Sequence, residues 1–142
     1  MVKFKSYLMA LILGIALAFA SIVIVGYGAA ISVSADLLNM LMPISAFLAF
    51  IVVDFFIIAL PLALAFLLLA YATKFVFKSA DNKFYLFLLA PLVLLQGYYL
   101  LQASAELNEI VSMLLRFLLL AICYYVIVRS HQPAKAWQTQ SQ

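Results

Sequence analysis

The stretch from Pro43 to Tyr71 reads PISAFLAFIVVDFFIIALPLALAFLLLAY and contains a single charged residue, Asp54. About 20 mostly apolar residues are enough to carry a helix across a bilayer. The stretch lacks the apolar–polar alternation of a membrane β-strand, and a helix satisfies its own backbone hydrogen bonds in lipid. We therefore expect a transmembrane helix here.

Three further apolar runs cover residues 7–30, 84–101 and 110–128. Together with 43–71 they predict an all-α membrane protein with four transmembrane helices in an antiparallel bundle, because short connections force neighbouring helices to reverse direction. The sequence shows no internal repeat, and we expect residues 1–142 to form one transmembrane domain.

The second run is too long for a simple crossing. A helix from Pro43 to Tyr71 would be roughly 43 Å long, against a hydrocarbon core of about 30 Å. Pro61 is the expected site of a kink, because proline removes one backbone hydrogen bond. The residues from Asp36 to Met42 are expected to form a short interfacial helix before the span.

The composition excludes several classes of protein. The 142 residues are 70% hydrophobic and 9% charged, with a mean hydropathy of +1.24. A soluble domain has about 25% charged residues, and a disordered chain has low hydrophobicity. A nucleic-acid binder concentrates its basic residues on an exposed face. An integral membrane protein remains, with the lipid bilayer as its surroundings and no nucleic acid as partner.

The basic residues predict the orientation. Seven of the eight lie on one side of the four-span model, namely Lys3, Lys5, Lys74, Lys78, Lys83, Arg129 and Lys135. The other side carries Asp36, Glu106 and Glu109 instead. By the positive-inside rule both termini are expected in the cytoplasm, and we expect a multi-pass protein of a bacterial cytoplasmic (inner) membrane.

The first run also resembles a signal peptide. Lys3 and Lys5 precede an apolar stretch, and Ala18-Phe19-Ala20 before Ser21 resembles a cleavage site. The apolar run continues beyond Ser21, which favours a retained helix. Cleavage would leave three spans with the same orientation.

Residues with common catalytic or metal-binding chemistry are scarce. Cys123 is the single cysteine, and its expected role is packing. His131 is the single histidine, so no metal site is expected. No phosphate-binding loop or hydrolase motif occurs, and we expect neither a cofactor nor enzymatic activity.

Two charges fall inside the predicted spans, Asp54 and Arg116. Such residues are rare in membranes and point to a functional site. Their estimated depths overlap, and Gln96 belongs to the same layer, so the three are expected to form an intramembrane polar cluster. In the alternative, Arg116 extends outward to Glu109 or to lipid headgroups, and the cluster merely joins helices.

Small residues at four-residue spacing, Ala10, Gly14 and Ala18, form a helix-packing ridge on the first span. The ridge packs either inside the bundle, which we favour, or against another chain. The tail from 130 to 142, which includes Trp137, is expected to be loose and cytoplasmic.

These features favour a small, non-catalytic polytopic protein that binds other membrane proteins, as an accessory or assembly subunit or an immunity-type inhibitor. Self-association is the other kind of partnership expected. The alternative is a small oligomeric transporter or channel that uses Asp54 and Arg116.

Overall fold

The computed structural model describes residues 2–30, 35–77, 81–102 and 106–130, and these residues are almost entirely helical. A π-helical turn, Phe55–Ala59, joins the third and fourth helices. Of the tail predicted from 130 to 142, Ser130 is the last residue of α6, and residues 131–142, with His131 and Trp137, lie outside the described residues. The helices are α1 Val2–Ala30, α2 Ala35–Leu41, α3 Ala46–Asp54, α4 Leu60–Val76, α5 Asn82–Gln102 and α6 Leu107–Ser130.

Four helices in the described ranges are long and apolar enough to cross a membrane, which confirms the predicted number of spans. They cover Lys3–Gly28, Ala46–Val76, Asn82–Gln102 and Leu107–Ser130. The second span therefore ends later than predicted and consists of α3, the π turn and α4. The short helix expected before it is α2.

The break expected at Pro61 appears as a widened turn rather than a simple kink. The Leu60 N–H bonds to the carbonyl of Phe55, five residues back instead of four. Pro61 has no N–H to donate, and a proline ring crowds the carbonyl four residues earlier, here that of Ile57. The π turn immediately before Pro61 relieves this crowding by adding one residue to the turn.

Helices α1 and α5 pack most closely together, although they are not neighbours in sequence. Ala10 and Gly14 of the predicted ridge are buried. A Cβ atom at Gly14 would lie 2.5 Å from the Leu88 carbonyl oxygen and 3.0 Å from the Pro91 ring. Only glycine permits this approach, so at these positions the ridge packs within the chain.

Polar contacts tie helix ends together at one end of the bundle. The Tyr7 hydroxyl donates to Asp81 Oδ2 at 2.8 Å, and Asp81 Oδ1 accepts from the Phe84 N–H at 3.0 Å. Burial raises the pKa of Asp81, but hydrogen bonds from Tyr7 and Phe84, with attraction from Lys3, lower that pKa overall. Asp81 therefore stays ionised and caps α5.

The end of α6 reaches the same place, where the Tyr124 hydroxyl donates to the Asn82 carbonyl at 3.3 Å. The starts of α1 and α5 and the end of α6 thus meet. We call this end of the bundle the latch end.

Replacing Gly14 with alanine tests the close packing of α1 on α5. We expect Gly14→Ala to lower the free energy of unfolding by about 1–3 kcal/mol, because the added methyl meets backbone rather than a movable side chain. Gly97→Ala is the matched control, since nothing lies within 4 Å of its Cβ position. Unfolding in detergent micelles, followed by circular dichroism, measures both. An equal effect of the two substitutions would contradict the packing.

Candidate functional site

Asp54 and Arg116 form a two-pronged ion pair inside the bundle. Arg116 Nε donates to Asp54 Oδ2 at 3.1 Å, and Arg116 Nη2 donates to Asp54 Oδ1 in a second, shorter contact. Asp54 is 8% exposed and Arg116 9%. Paired hydrogen bonds between a guanidinium and a carboxylate are among the strongest that side chains make. Each charge is therefore compensated by the other.

The π turn brings Asp54 to the buried side of its span. Ala59 is buried, and so are the residues that follow it at helical spacing in α4. In a regular α-helix, at 100° per residue, Asp54 would lie about 140° around the axis from Ala59. The extra residue of the turn reduces this angle. Asp54 is therefore buried, at 8% exposure, whereas Phe56 two residues later is 60% exposed.

Gln96 of α5 lies against the same pair. Arg116 Nη1 donates to Gln96 Oε1 over a long 3.5 Å. Gln96 is 1% exposed, and its Nε2 has no hydrogen-bond partner in the described part of the chain. The structure thus brings together Asp54, Gln96 and Arg116 from three spans.

A cavity of about 630 Å³ opens beside the ion pair, between α1, α3, α5 and α6. This volume is within the range of small-molecule sites. Asp54 and Arg116 form part of its lining, and the remaining polar lining is Tyr99, Gln102, Glu109 and Ser112. Apolar walls come from α1, α3 and α6, for example Ile22, Phe50 and Met113.

Glu109, Ser112 and Arg116 form one wall of this cavity, at helical spacings of three and four residues. Arg116 turns to Asp54, and Glu109 has no ion-pair partner among the described residues. Ser112 is 3% exposed, and its hydroxyl has no hydrogen-bond partner there either. The cavity is therefore lined by a carboxylate without an ion-pair partner, and the Ser112 hydroxyl is enclosed in its wall without a hydrogen-bond partner among the described residues.

The core next to the ion pair, on the side of the latch end, is apolar, and the buried polar side chains Ser6, Thr73 and Tyr85 lie beyond it near the helix ends. Leu62 and Phe66 of α4, Leu88 and Leu92 of α5, and Leu120 of α6 are each at most 2% exposed. Cys123 is also buried on this side, at 7% exposure, and is not among the cavity residues. The cavity ends at the ion pair.

Sequence reasoning named the pair and Gln96 but missed the cavity and its aromatic lining, Phe50 and Tyr99. The face shared by Glu109, Ser112 and Arg116 was the available signal, since it describes one wall. No group of three potential metal ligands occurs in residues 2–30, 35–77, 81–102 and 106–130. Comparison with protein-family models, curated proteins and solved structures gives no match.

Breaking the ion pair from one side is expected to destabilise the fold. Arg116→Leu leaves Asp54 buried without compensation, and we expect a loss of about 3–5 kcal/mol in the free energy of unfolding. The double variant Asp54→Leu with Arg116→Leu should recover most of that loss, because no uncompensated charge remains.

Unfolding of the single and double variants in detergent measures this coupling. Arg129→Leu is the control, because Arg129 is an exposed arginine at the end of the same helix. Asp54→Leu alone completes the comparison, and additive effects of Asp54→Leu and Arg116→Leu would contradict mutual compensation.

Proposed function

We propose that the protein is a non-catalytic polytopic protein that acts by binding other membrane proteins, as an accessory or assembly subunit or an immunity-type inhibitor. The observation that carries this proposal is the closed ion pair. Asp54 and Arg116 form an ion pair with each other, and the core next to them on the side of the latch end is apolar. A transport pathway through a single chain would need polar groups directly next to the pair on both sides, so this geometry favours binding.

A second observation concerns α1. Its Ala10–Gly14 ridge is used against α5, but Ala16 and Ala20, also four residues apart, are exposed. Small residues at this spacing allow the backbone of another membrane helix to approach closely. We assign the partner-binding face to this side of α1.

Affinity purification in mild detergent, after cross-linking in cells, tests the proposal. We expect a second membrane protein to be recovered with the chain, and Ala20→Leu to reduce that recovery because leucine prevents close helix contact. Ala121→Leu is the matched control, an exposed alanine on α6. Recovery of the lone chain, or equal effects of the two leucines, would count against the proposal.

We further infer an antiparallel bundle in a bacterial cytoplasmic membrane, with both termini in the cytoplasm. The support is the distribution of charge, with Lys3, Lys5 and Lys83 near the latch end and Glu106 at the start of α6.

Cysteine labelling tests this orientation in a Cys123→Ser background. A membrane-impermeant maleimide is expected to label Glu106→Cys in intact spheroplasts and Lys83→Cys only after lysis, since both positions are exposed. The reverse pattern would overturn the orientation.

The second candidate is a small oligomeric transporter or channel. The cavity favours it, because Asp54 and Arg116 are both part of the lining. Flux of labelled cations into proteoliposomes tests it. Asp54→Asn should reduce flux to the level of empty liposomes, whereas Asp36→Asn, an exposed carboxylate, should not. Flux that is unchanged by Asp54→Asn would remove Asp54 from any transport mechanism.

A further inference from the structure

A second depression lies next to the cavity beside the ion pair, on the surface of the bundle. This groove, of about 480 Å³, lies between α1 and α5 and is lined by apolar residues such as Ala18, Phe19, Pro91 and Leu94. Ile22 lines both the groove and the cavity. The cavity, which contains the polar groups, and the apolar groove thus share one bordering residue, an arrangement that suits an amphiphile.

We propose that cavity and groove form one binding site for an amphiphile whose headgroup carries a protonated amine, supplied in the bilayer by an ethanolamine phospholipid. The amine binds in the cavity and the hydrocarbon chain lies in the groove. Ala16 and Ala20 of the proposed protein-binding face are not part of its lining, although that face lies beside the groove.

The charge of the cavity selects a cation. Asp54 and Arg116 compensate each other, so Glu109 leaves the lining with one uncompensated negative charge. Phe50 and Tyr99 add aromatic rings, whose faces attract ammonium groups. A carboxylate together with aromatic walls is a common recognition chemistry for an amine.

The polar side chains of the cavity follow one another along α6 in the same order as the charged groups of an ethanolamine headgroup, the amine first and the phosphate next. Ser112 lies three residues, about 4.5 Å, further along α6 than Glu109, and Arg116 lies one turn beyond it. With the amine at Glu109, the phosphate of an ethanolamine phospholipid reaches the level of Ser112. Its oxygens can accept from the Ser112 hydroxyl once that side chain rotates toward the cavity, and from the N–H groups of Arg116 that neither Asp54 nor Gln96 uses.

The buried hydroxyl of Ser112 is the independent sign of a ligand. It is 3% exposed and has no hydrogen-bond partner in the described part of the chain. Buried polar groups in native proteins are almost always hydrogen-bonded. A phosphate oxygen supplies the missing partner when the Ser112 side chain rotates toward the cavity.

Native mass spectrometry of the full chain in detergent tests the proposal. Dioleoyl phosphatidylethanolamine is titrated against dioleoyl phosphatidylglycerol, which has the same chains and a phosphate but no amine. We expect the ethanolamine lipid to bind about tenfold more tightly, a difference typical of one charge-assisted contact. Equal affinities would overturn the proposal.

Glu109→Gln is expected to remove the preference for the ethanolamine lipid and to leave binding of the glycerol lipid unchanged. Glu106→Gln is the matched control, because Glu106 is exposed on the same side of the bundle and is not part of the cavity lining. An equal loss in both variants would indicate general surface attraction and overturn the proposal.

Two further variants keep the test decisive if Glu109→Gln fails to fold. Ser112→Ala should weaken binding of both phospholipids, and Ala18→Phe should do the same by filling the groove. Undiminished binding in both variants would overturn the combined site. Dodecylammonium separates the two sources of the amine: if it binds in a Glu109-dependent way and the phospholipid does not, the bilayer lipid is excluded as the ligand.

Discussion

A charged side chain at the centre of a transmembrane helix costs about 2.5–3.5 kcal/mol on insertion scales, so Asp54 and Arg116 must find compensation within the protein. They find it in each other, through two hydrogen bonds between the second and fourth spans. This requirement fixes the rotation and the relative depth of both helices. It also fixes where the cavity stops, because the pair is part of its lining and apolar residues pack behind it.

The backbone around Pro61 is part of the same constraint. A regular helix from Ala46 to Val76 would present a phenylalanine where Asp54 now lies, and Asp54 would turn away from Arg116. The π turn at Phe55–Ala59 corrects the rotation by one residue without breaking the span. Proline, by removing a donor and crowding a carbonyl, makes the wider turn the less costly backbone. The ion pair thus depends on a residue outside it.

Hydropathy was sufficient to predict four spans, because twenty apolar residues in a row have few alternatives to a membrane helix. Residue depth was sufficient to group Asp54, Gln96 and Arg116, since rise per residue is constant along a helix. Which helices pack together was not accessible in this way. The α1–α5 contact depends on the close approach of Gly14 to the Leu88 carbonyl. The cavity exists because the side chains of four helices do not fill the space between them. These are properties of shape rather than of pattern.

The two cavity carboxylates, Asp54 and Glu109, have different surroundings, and this difference bears on the role of each. Charged residues are rare within the membrane, and this singles out Asp54 as the functional charge. Arg116, however, already donates two hydrogen bonds to Asp54. Glu109 lies closer to the end of its helix and is less unusual in the sequence. It has no ion-pair partner among the described residues, and it lines a cavity that also has aromatic lining. An uncompensated charge attracts a ligand more strongly than a compensated one. This difference supports the proposal that Asp54 holds the bundle together and that Glu109 recognises the ligand.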